Sequence, residues 1–297
     1  RKQMVAGYLF FSSKEAPHMQ MDQIFRPLTS SPFRRDDTYT EILPCEALRP
    51  YICCFWGTSQ PLQTCDAACE SLVTPDTCMD ILIDLDYTRQ SLSSRFVAID
   101  DRAFLARGNG TGHLVATFAV RFYAWAVPLF SDESMVQVQN GFFNADRFFP
   151  ALTRQLEAML PCVDSLEERV RFAQQYLLET LRERRKKPAV MNAIHSIMKQ
   201  EGRAALSEAA AYACVSPRQL ERLFGELVGV SPKKFAGLVR YQQVWRAVLF
   251  ERDFNVQDAV HRFGFTDQSH LLRDFKRFHS LTPTQARAYA LGQRGVR

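Results

Sequence analysis

The chain has 297 residues, of which 46% are hydrophobic, 23% charged and 12% aromatic, and its formal net charge is +5. That length suits two domains of roughly 100 to 200 residues each, and the apolar content excludes a disordered or collagen-like chain. The longest apolar runs, Val5 to Phe11 and Phe122 to Phe130, fall short of the roughly 20 residues of a membrane-spanning helix, so no membrane partner is expected.

Charge is distributed unevenly. Residues 1–185 hold 19 Lys and Arg against 23 Asp and Glu, a net of −4, whereas residues 186–297 hold 18 against 9, a net of +9. A basic module of that size is the footprint of a polyanion binder, with nucleic acid the first candidate and an anionic membrane surface the second. Eight cysteines without a recognisable secretory leader point to a reducing compartment, and a cytoplasmic location is expected.

In chain order, residues 1–21 have no period and read as a flexible leader. Residues 22–150 read as a β-rich regulatory or sensor domain. Leu114, Ala116, Phe118, Val120 and Phe122 alternate along one face, and Met79, Ile81, Ile83 and Leu85 interleave with Asp80 and Asp84. This is the pattern of a half-buried antiparallel sheet or small barrel. Asp76, Asp80, Asp84 and Asp86 read as solvent-facing strand residues in preference to metal ligands.

Six cysteines lie between Cys45 and Cys78. Cys53, Cys54, Cys65, Cys69 and Cys78 are candidates for a zinc site or a reactive-thiol sensor, with the adjacent pair pointing to opposite faces of a strand. The alternative is that they are small buried hydrophobes among Tyr51, Ile52, Phe55 and Trp56. No cofactor is required by the pattern. The absence of a glycine-rich phosphate loop or other catalytic signature argues against an enzyme.

Residues 151–185 change to helical period. Leu166, Val170, Ala173, Leu177 and Leu181 form a stripe that serves either as a dimer seam or as a face packed on its own domain. Arg182 to Lys187, followed by Pro188, reads as a helix end and linker.

Residues 186–297 contain an internal repeat with an offset of 51. Leu220, Arg222, Phe224, Leu227, Val230, Ser231 and Pro232 recur as Leu271, Arg273, Phe275, Phe278, Leu281, Thr282 and Pro283. Each copy has a small-residue helix, a tight turn and a second helix capped by Ser216 or Asp267. Leu220, Leu223, Phe224 and Leu227 make one apolar face, which turns Arg218 and Arg222 outward with Gln219 and Glu221 on the flanks. In the second copy Ser269, Arg273 and Lys276 oppose Leu271, Phe275 and Phe278, with Gln268 and Arg277 nearer the edges. Each copy is a helix-turn-helix, whose second helix fits the major groove of double-stranded DNA. Pro232 to about Glu251 reads as one helix joining the copies. At 1.5 Å per residue it spans roughly 27 to 30 Å, close to the roughly 34 Å between successive major-groove faces.

These residues resemble the AraC/XylS-type transcription regulators over about 188–290, through Ser216-Pro217-Arg218-Gln219-Leu220-Glu221-Arg222-Leu223-Phe224, Gly229-Val230-Ser231-Pro232, Gly264-Phe265, Asp267-Gln268-Ser269-His270, Phe275-Lys276-Arg277-Phe278 and Thr282-Pro283. The resemblance implies base readers among Arg218, Gln219, Glu221 and Arg222 in the first unit and Gln268, Ser269, Arg273, Lys276 and Arg277 in the second. The chain has Ser280 where the family usually has glycine, Ala286 where it has an aromatic, and Val260 where it has alanine. Two further segments, Leu48–Gly57 and Pro75–Asp84, resemble a β-rich domain found ahead of some such regulators.

The expected fold is therefore α+β: a mostly antiparallel N-terminal β domain with a helical extension, then an all-α domain of two helix-turn-helix units joined by a long helix. The expected function is a sequence-specific DNA-binding transcription regulator. Its N-terminal domain would sense a small molecule, a metal or a thiol-reactive signal. RNA polymerase and a second copy of the chain are the other candidate partners. The alternative is a cysteine methyl-acceptor repair protein of the Ada type, whose usual pair of cysteine couples this chain lacks.

Overall fold

The computed structural model describes residues 21–34, 39–64, 71–106 and 112–292. The expected leader lies outside them except for Met21, which opens the short helix α1 (Met21–Ile24) and is buried. The N-terminal unit is built from β1 (Thr40–Ile42), β2 (Ile52–Gly57), β3 (Leu62–Gln63), β4 (Ser71–Val73), β5 (Cys78–Asp86), β6 (Ser91–Val97), β7 (Phe104–Ala106), β8 (Leu114–Tyr123) and β9 (Phe142–Asn144). The described strands form one antiparallel sheet in the order β1-β2-β8-β5-β6-β9, with β3 also on β8, and a separate β4-β7 pair. This is an open path of strands, not a closed barrel.

Strand β8 is central because its alternation matches that of β5. Phe118, Val120 and Phe122 lie opposite Ile83, Ile81 and Met79, and all six are fully buried. The other face also departs from expectation. Asp80 lies opposite Arg121 and Asp84 opposite Thr117, and the carboxylates are paired instead of open to solvent. Arg121 bridges Asp76 and Asp80, Asp80 also accepts the Trp56 indole N–H at 2.9 Å, Asp84 takes the Thr117 hydroxyl at 2.7 Å, and Asp86 meets His113 at 2.7 Å. Strand alternation correctly turned these residues away from the core, but that face is itself covered, and buried charges survive only when paired.

Helices follow from Asn144 onward: α2 (Ala145–Phe148), α3 (Pro150–Met159) and α4 (Leu166–Thr180). Ser165 caps α4 through the Glu168 N–H. The α4 stripe of Leu166, Val170, Ala173 and Leu177 is buried within the chain. It packs on its own unit, the second of the two roles open to the stripe.

The C-terminal unit comprises α5 (Pro188–Lys199), α6 (Leu206–Tyr212), α7 (Pro217–Leu227), α8 (Pro232–Phe250), α9 (Val256–Arg262), α10 (Gln268–His279) and α11 (Pro283–Gly292). Helix α8 is its axis. Phe235 meets Phe224 of α7 at 5.9 Å between ring centroids, while Tyr241 meets Phe278 of α10 at 5.1 Å and Trp245 meets His279 at 4.6 Å.

The two units are docked on one another. Gln242, in the middle of α8, accepts the Leu28 N–H at 2.7 Å and donates to the carbonyls of Leu28 and Pro75 at 3.1 and 2.9 Å. The Trp245 indole donates to Thr29 at 3.0 Å, and Lys234 pairs with Asp101 at 2.8 Å. Residues 26–34, expected to begin the β domain, thus lie along the connecting helix of the basic unit.

Candidate nucleic-acid interface

The two helix-turn-helix units are made by the same local chemistry. Helix α6 ends with Cys214 in the left-handed region at φ 55°, and α9 ends with Gly264 at φ 67°. In each, the following amide reaches back to close the helix, Val215 to Ala210 at 3.1 Å and Phe265 to Val260 at 2.9 Å, which is a Schellman termination. The second turn is one residue longer, since Ala213 and Ser216 bracket the first and Phe263 and Asp267 the second. The Ser216 hydroxyl accepts from Gln219 N–H at 3.2 Å and the Asp267 carboxylate from His270 N–H at 2.8 Å, which fixes where each second helix starts.

Leu220 and Phe224 of α7, and Leu271, Phe275 and Phe278 of α10, are buried. All nine candidate base readers are exposed: Arg218, Gln219, Glu221 and Arg222 on α7, and Gln268, Ser269, Arg273, Lys276 and Arg277 on α10. Arg222 pairs with Glu226 one turn on at 2.8 Å. Arg277 pairs with Asp274 at 3.1 Å and lies over the Phe278 ring at 4.3 Å from its centroid. The Arg273 Nε donates to the Ser269 carbonyl at 3.3 Å. Exposed pairs of this kind are weak, about 0.2 to 1 kcal/mol, so the guanidinium groups exchange readily to a stronger anion.

The departures from the resembled pattern are accommodated in the fold. Ser280 ends α10 at φ 66°, as Gly229 ends the corresponding turn at φ 81°, so the serine adopts the conformation that glycine usually supplies. Val260 and Ala286 are both buried.

In the N-terminal unit, Cys53, Cys54 and Cys78 are buried. A register shift, or bulge, falls between Ile52 and Cys54 of β2, so the strand does not alternate strictly there. Hydrogen bonds from Cys54 and Cys78 hold the Cys53 thiol well below its ordinary pKa, while donating to Cys53 raises Cys54 and burial raises Cys78. Cys65 and Cys69 lie outside the described residues. Among the described residues no group of three or more His, Cys, Asp or Glu is placed to hold a metal, and no helix is long and apolar enough to cross a membrane.

Periodicity gave no sign of the contacts that join α7 and α10 to the N-terminal unit. Met135 N–H donates to Glu226 and Ala103 N–H to Phe278, both at 2.9 Å. These are backbone bonds between distant segments, and no side-chain pattern announces them.

Residues 209–289 match the family model of a helix-turn-helix domain, and residues 40–143 match that of a domain of unknown function, DUF6597. No curated protein matches the chain in sequence. Among solved structures, an AraC-type DNA-binding domain-containing transcriptional regulator from Chromobacterium violaceum is 24% identical over 36% of this chain and 93% of its own, with a TM-score of 0.33. The DNA-binding domain of AdpA, a global transcriptional factor solved with a target DNA, is 24% identical over 37% of this chain and 97% of its own, with a TM-score of 0.33. ToxT from Vibrio cholerae is 9% identical over 79% of this chain and 98% of its own, with a TM-score of 0.37.

Proposed function

We propose that this chain, whose residues 209–289 match a helix-turn-helix domain, is a sequence-specific regulator of transcription of the AraC type that binds double-stranded DNA through α7 and α10. The observation that carries the reading is the duplicated pair of capped second helices, each presenting Arg and Gln outward and both seated on α8. Arg and Gln are the side chains whose paired donors and acceptors match guanine and adenine edges in the major groove. Lys and Arg around them, with the helix N-termini, anchor to phosphates.

The N-terminal unit is the sensor in this reading. A signal changes DNA affinity only by binding differently to two arrangements of the units, and the Gln242 and Trp245 contacts supply a seam that such a signal can open or close. RNA polymerase and a second copy of the chain are the further proposed partners. The cysteine methyl-acceptor alternative gains nothing from Cys53, Cys54 and Cys78, which are buried.

The test is selection of binding sites from random duplexes by the full chain. Recovery of one motif in two parts, with affinity falling by more than tenfold between 50 and 200 mM salt through counterion release, is the expected result. Failure to enrich any motif would overturn the assignment.

A further inference from the structure

Helices α7 and α10 end against the N-terminal unit in the same way. The last carbonyls of a helix have no partner within it, and in both of these helices the penultimate carbonyl is taken by an amide of the N-terminal unit. Met135 N–H donates to Glu226 and Ala103 N–H to Phe278, both at 2.9 Å. The approach at α7 is close: a Cβ added at Gly229, just beyond the helix, would stand 2.8 Å from Val138 and 3.1 Å from the Met135 carbonyl.

The two segments that supply these amides are tied to each other. The Asn140 side chain donates to the Asp101 carboxylate at 2.9 Å and accepts the Asp101 N–H at 3.0 Å, and the Asn140 N–H donates to the Ile99 carbonyl at 3.0 Å. Asn140 lies in the left-handed region at φ 57°, a conformation that asparagine accepts more readily than most residues. Lys234, in the first turn of α8, closes the ring with bonds of 2.8 Å to both Asp101 and Gln139. Burial opposes the Asp101 charge, but bonds from Lys234 and Asn140 outweigh it and hold that carboxyl below its ordinary range. Residues 99–103 and 135–140 thus make one crosslinked bracket that touches α7, α8 and α10 together.

We propose that this bracket sets the separation at which α7 and α10 read DNA, with Asp101 and Asn140 as its positioning residues. Arg218 stands eight residues before Glu226 and Ser269 nine before Phe278, about 12 to 14 Å along each helix. A tilt of about 10° at a held end therefore carries the outer end through about 2 Å, more than half of the roughly 3.4 Å rise of a base pair. Packing on α8 alone leaves that tilt to side-chain contacts, whereas the bracket fixes it through backbone hydrogen bonds. Two linked reading heads held at one separation bind strongly only where the spacing of the two half-sites matches it. The spacing claim rests on the DNA-binding reading, whereas the bracket itself does not.

The test uses duplexes carrying the motif selected by the full chain, with its two parts moved one base pair closer together or further apart. The parent should lose at least about tenfold in affinity for either shifted duplex. Asn140→Gly, which keeps the left-handed backbone but cuts the tie to Asp101, and Asp101→Ala should bind shifted and unshifted duplexes within about threefold of each other. Asp101→Glu, which retains the charge opposite Lys234, should recover part of the discrimination. Amide hydrogen exchange on the free proteins is the second readout. Ala103 and Met135 should be protected in the parent and exchange at least about tenfold faster in Asn140→Gly. The proposal is overturned if both amides exchange freely in the parent, if exchange is unchanged in both variants, or if the variants discriminate spacing like the parent. A parent that selects no motif, with Ala103 and Met135 still protected, would remove the regulator reading and the spacing claim with it, and leave the bracket standing.

Discussion

The backbone N–H of Met135 donates to the carbonyl of Glu226 at 2.9 Å, at the same residue whose carboxylate holds Arg222 at 2.8 Å. The last turn of α7 is therefore attached to the N-terminal unit while the Arg222 guanidinium is held by a local partner. Arg222→Ala should weaken binding to a selected duplex by about 1 to 3 kcal/mol and relax preference at one base position. Glu226→Gln should act in the opposite sense, tightening binding a few-fold, with stability changed by only about 0.5 kcal/mol because the lost pair is exposed. Binding isotherms on matched and single-mismatch duplexes decide both, and unaltered selectivity in Arg222→Ala counts against its role as a base reader.

Gln242 is buried on α8 and, among the described residues, its side chain bonds to backbone groups of the N-terminal unit. Gln242→Met keeps the volume but leaves Leu28 and Pro75 without those partners. Unfulfilled buried groups cost about 1 to 3 kcal/mol each, so a loss of about 3 kcal/mol is expected. It should be accompanied by a split of one calorimetric transition into two as the units uncouple. A single transition at the parental temperature would show that the seam contributes nothing to stability.

Ser280 and Gly229 occupy equivalent left-handed positions, at φ 66° and 81°. Ser280→Gly should raise stability by about 1 kcal/mol, the penalty an L-residue meets there. Gly229→Ser should be far more harmful, because an added Cβ would stand 2.8 Å from Val138 and 3.1 Å from the Met135 carbonyl. Urea midpoints of the two variants should move in opposite directions.

His279 is fully buried, stacked on Phe275 at 5.1 Å, with Nδ1 at 2.7 Å from the Tyr241 hydroxyl. Burial lowers its pKa from 6.5 to about 4. The unfolded chain therefore takes up this proton first as pH falls, and the contribution of the neutral ring, complete above pH 6.5, is lost progressively down to pH 4. The loss is about 3 kcal/mol. Burial raises Asp80 to about 6 and Asp100 to about 7, and these act with the opposite sign over the same window. The informative quantity is consequently the difference between the parent and His279→Phe. That variant should lose stability at pH 7 and recover relative to the parent by pH 4.5, and a difference independent of pH would contradict a neutral His279.

Much of the helix-turn-helix geometry is legible in the sequence alone. The buried positions Leu220, Phe224, Leu271 and Phe275 follow from helical spacing, and the ends of α7 and α10 from Ser216 and Asp267, because caps and amphipathic faces are properties of a few adjacent residues. Alternation likewise gave the core face of β5 and β8. It misjudged Asp76, Asp80 and Asp84, since whether the second face of a sheet is wet depends on what folds over it. Nor did it foresee the bulge between Ile52 and Cys54, because a bulge is decided by the register of the neighbouring strand.

By itself, then, the sequence determined the duplicated helix-turn-helix pattern, its basic charge and the side chains each second helix turns outward. All of these rest on contacts within about four residues or on composition. Only the tertiary structure decided that residues 26–34 lie along α8, that Met135 and Ala103 hold α7 and α10, and that Arg246 reaches the Arg26 carbonyl. Those contacts join segments up to about two hundred residues apart, whose association is set by packing and backbone hydrogen bonds that leave no local period in the chain.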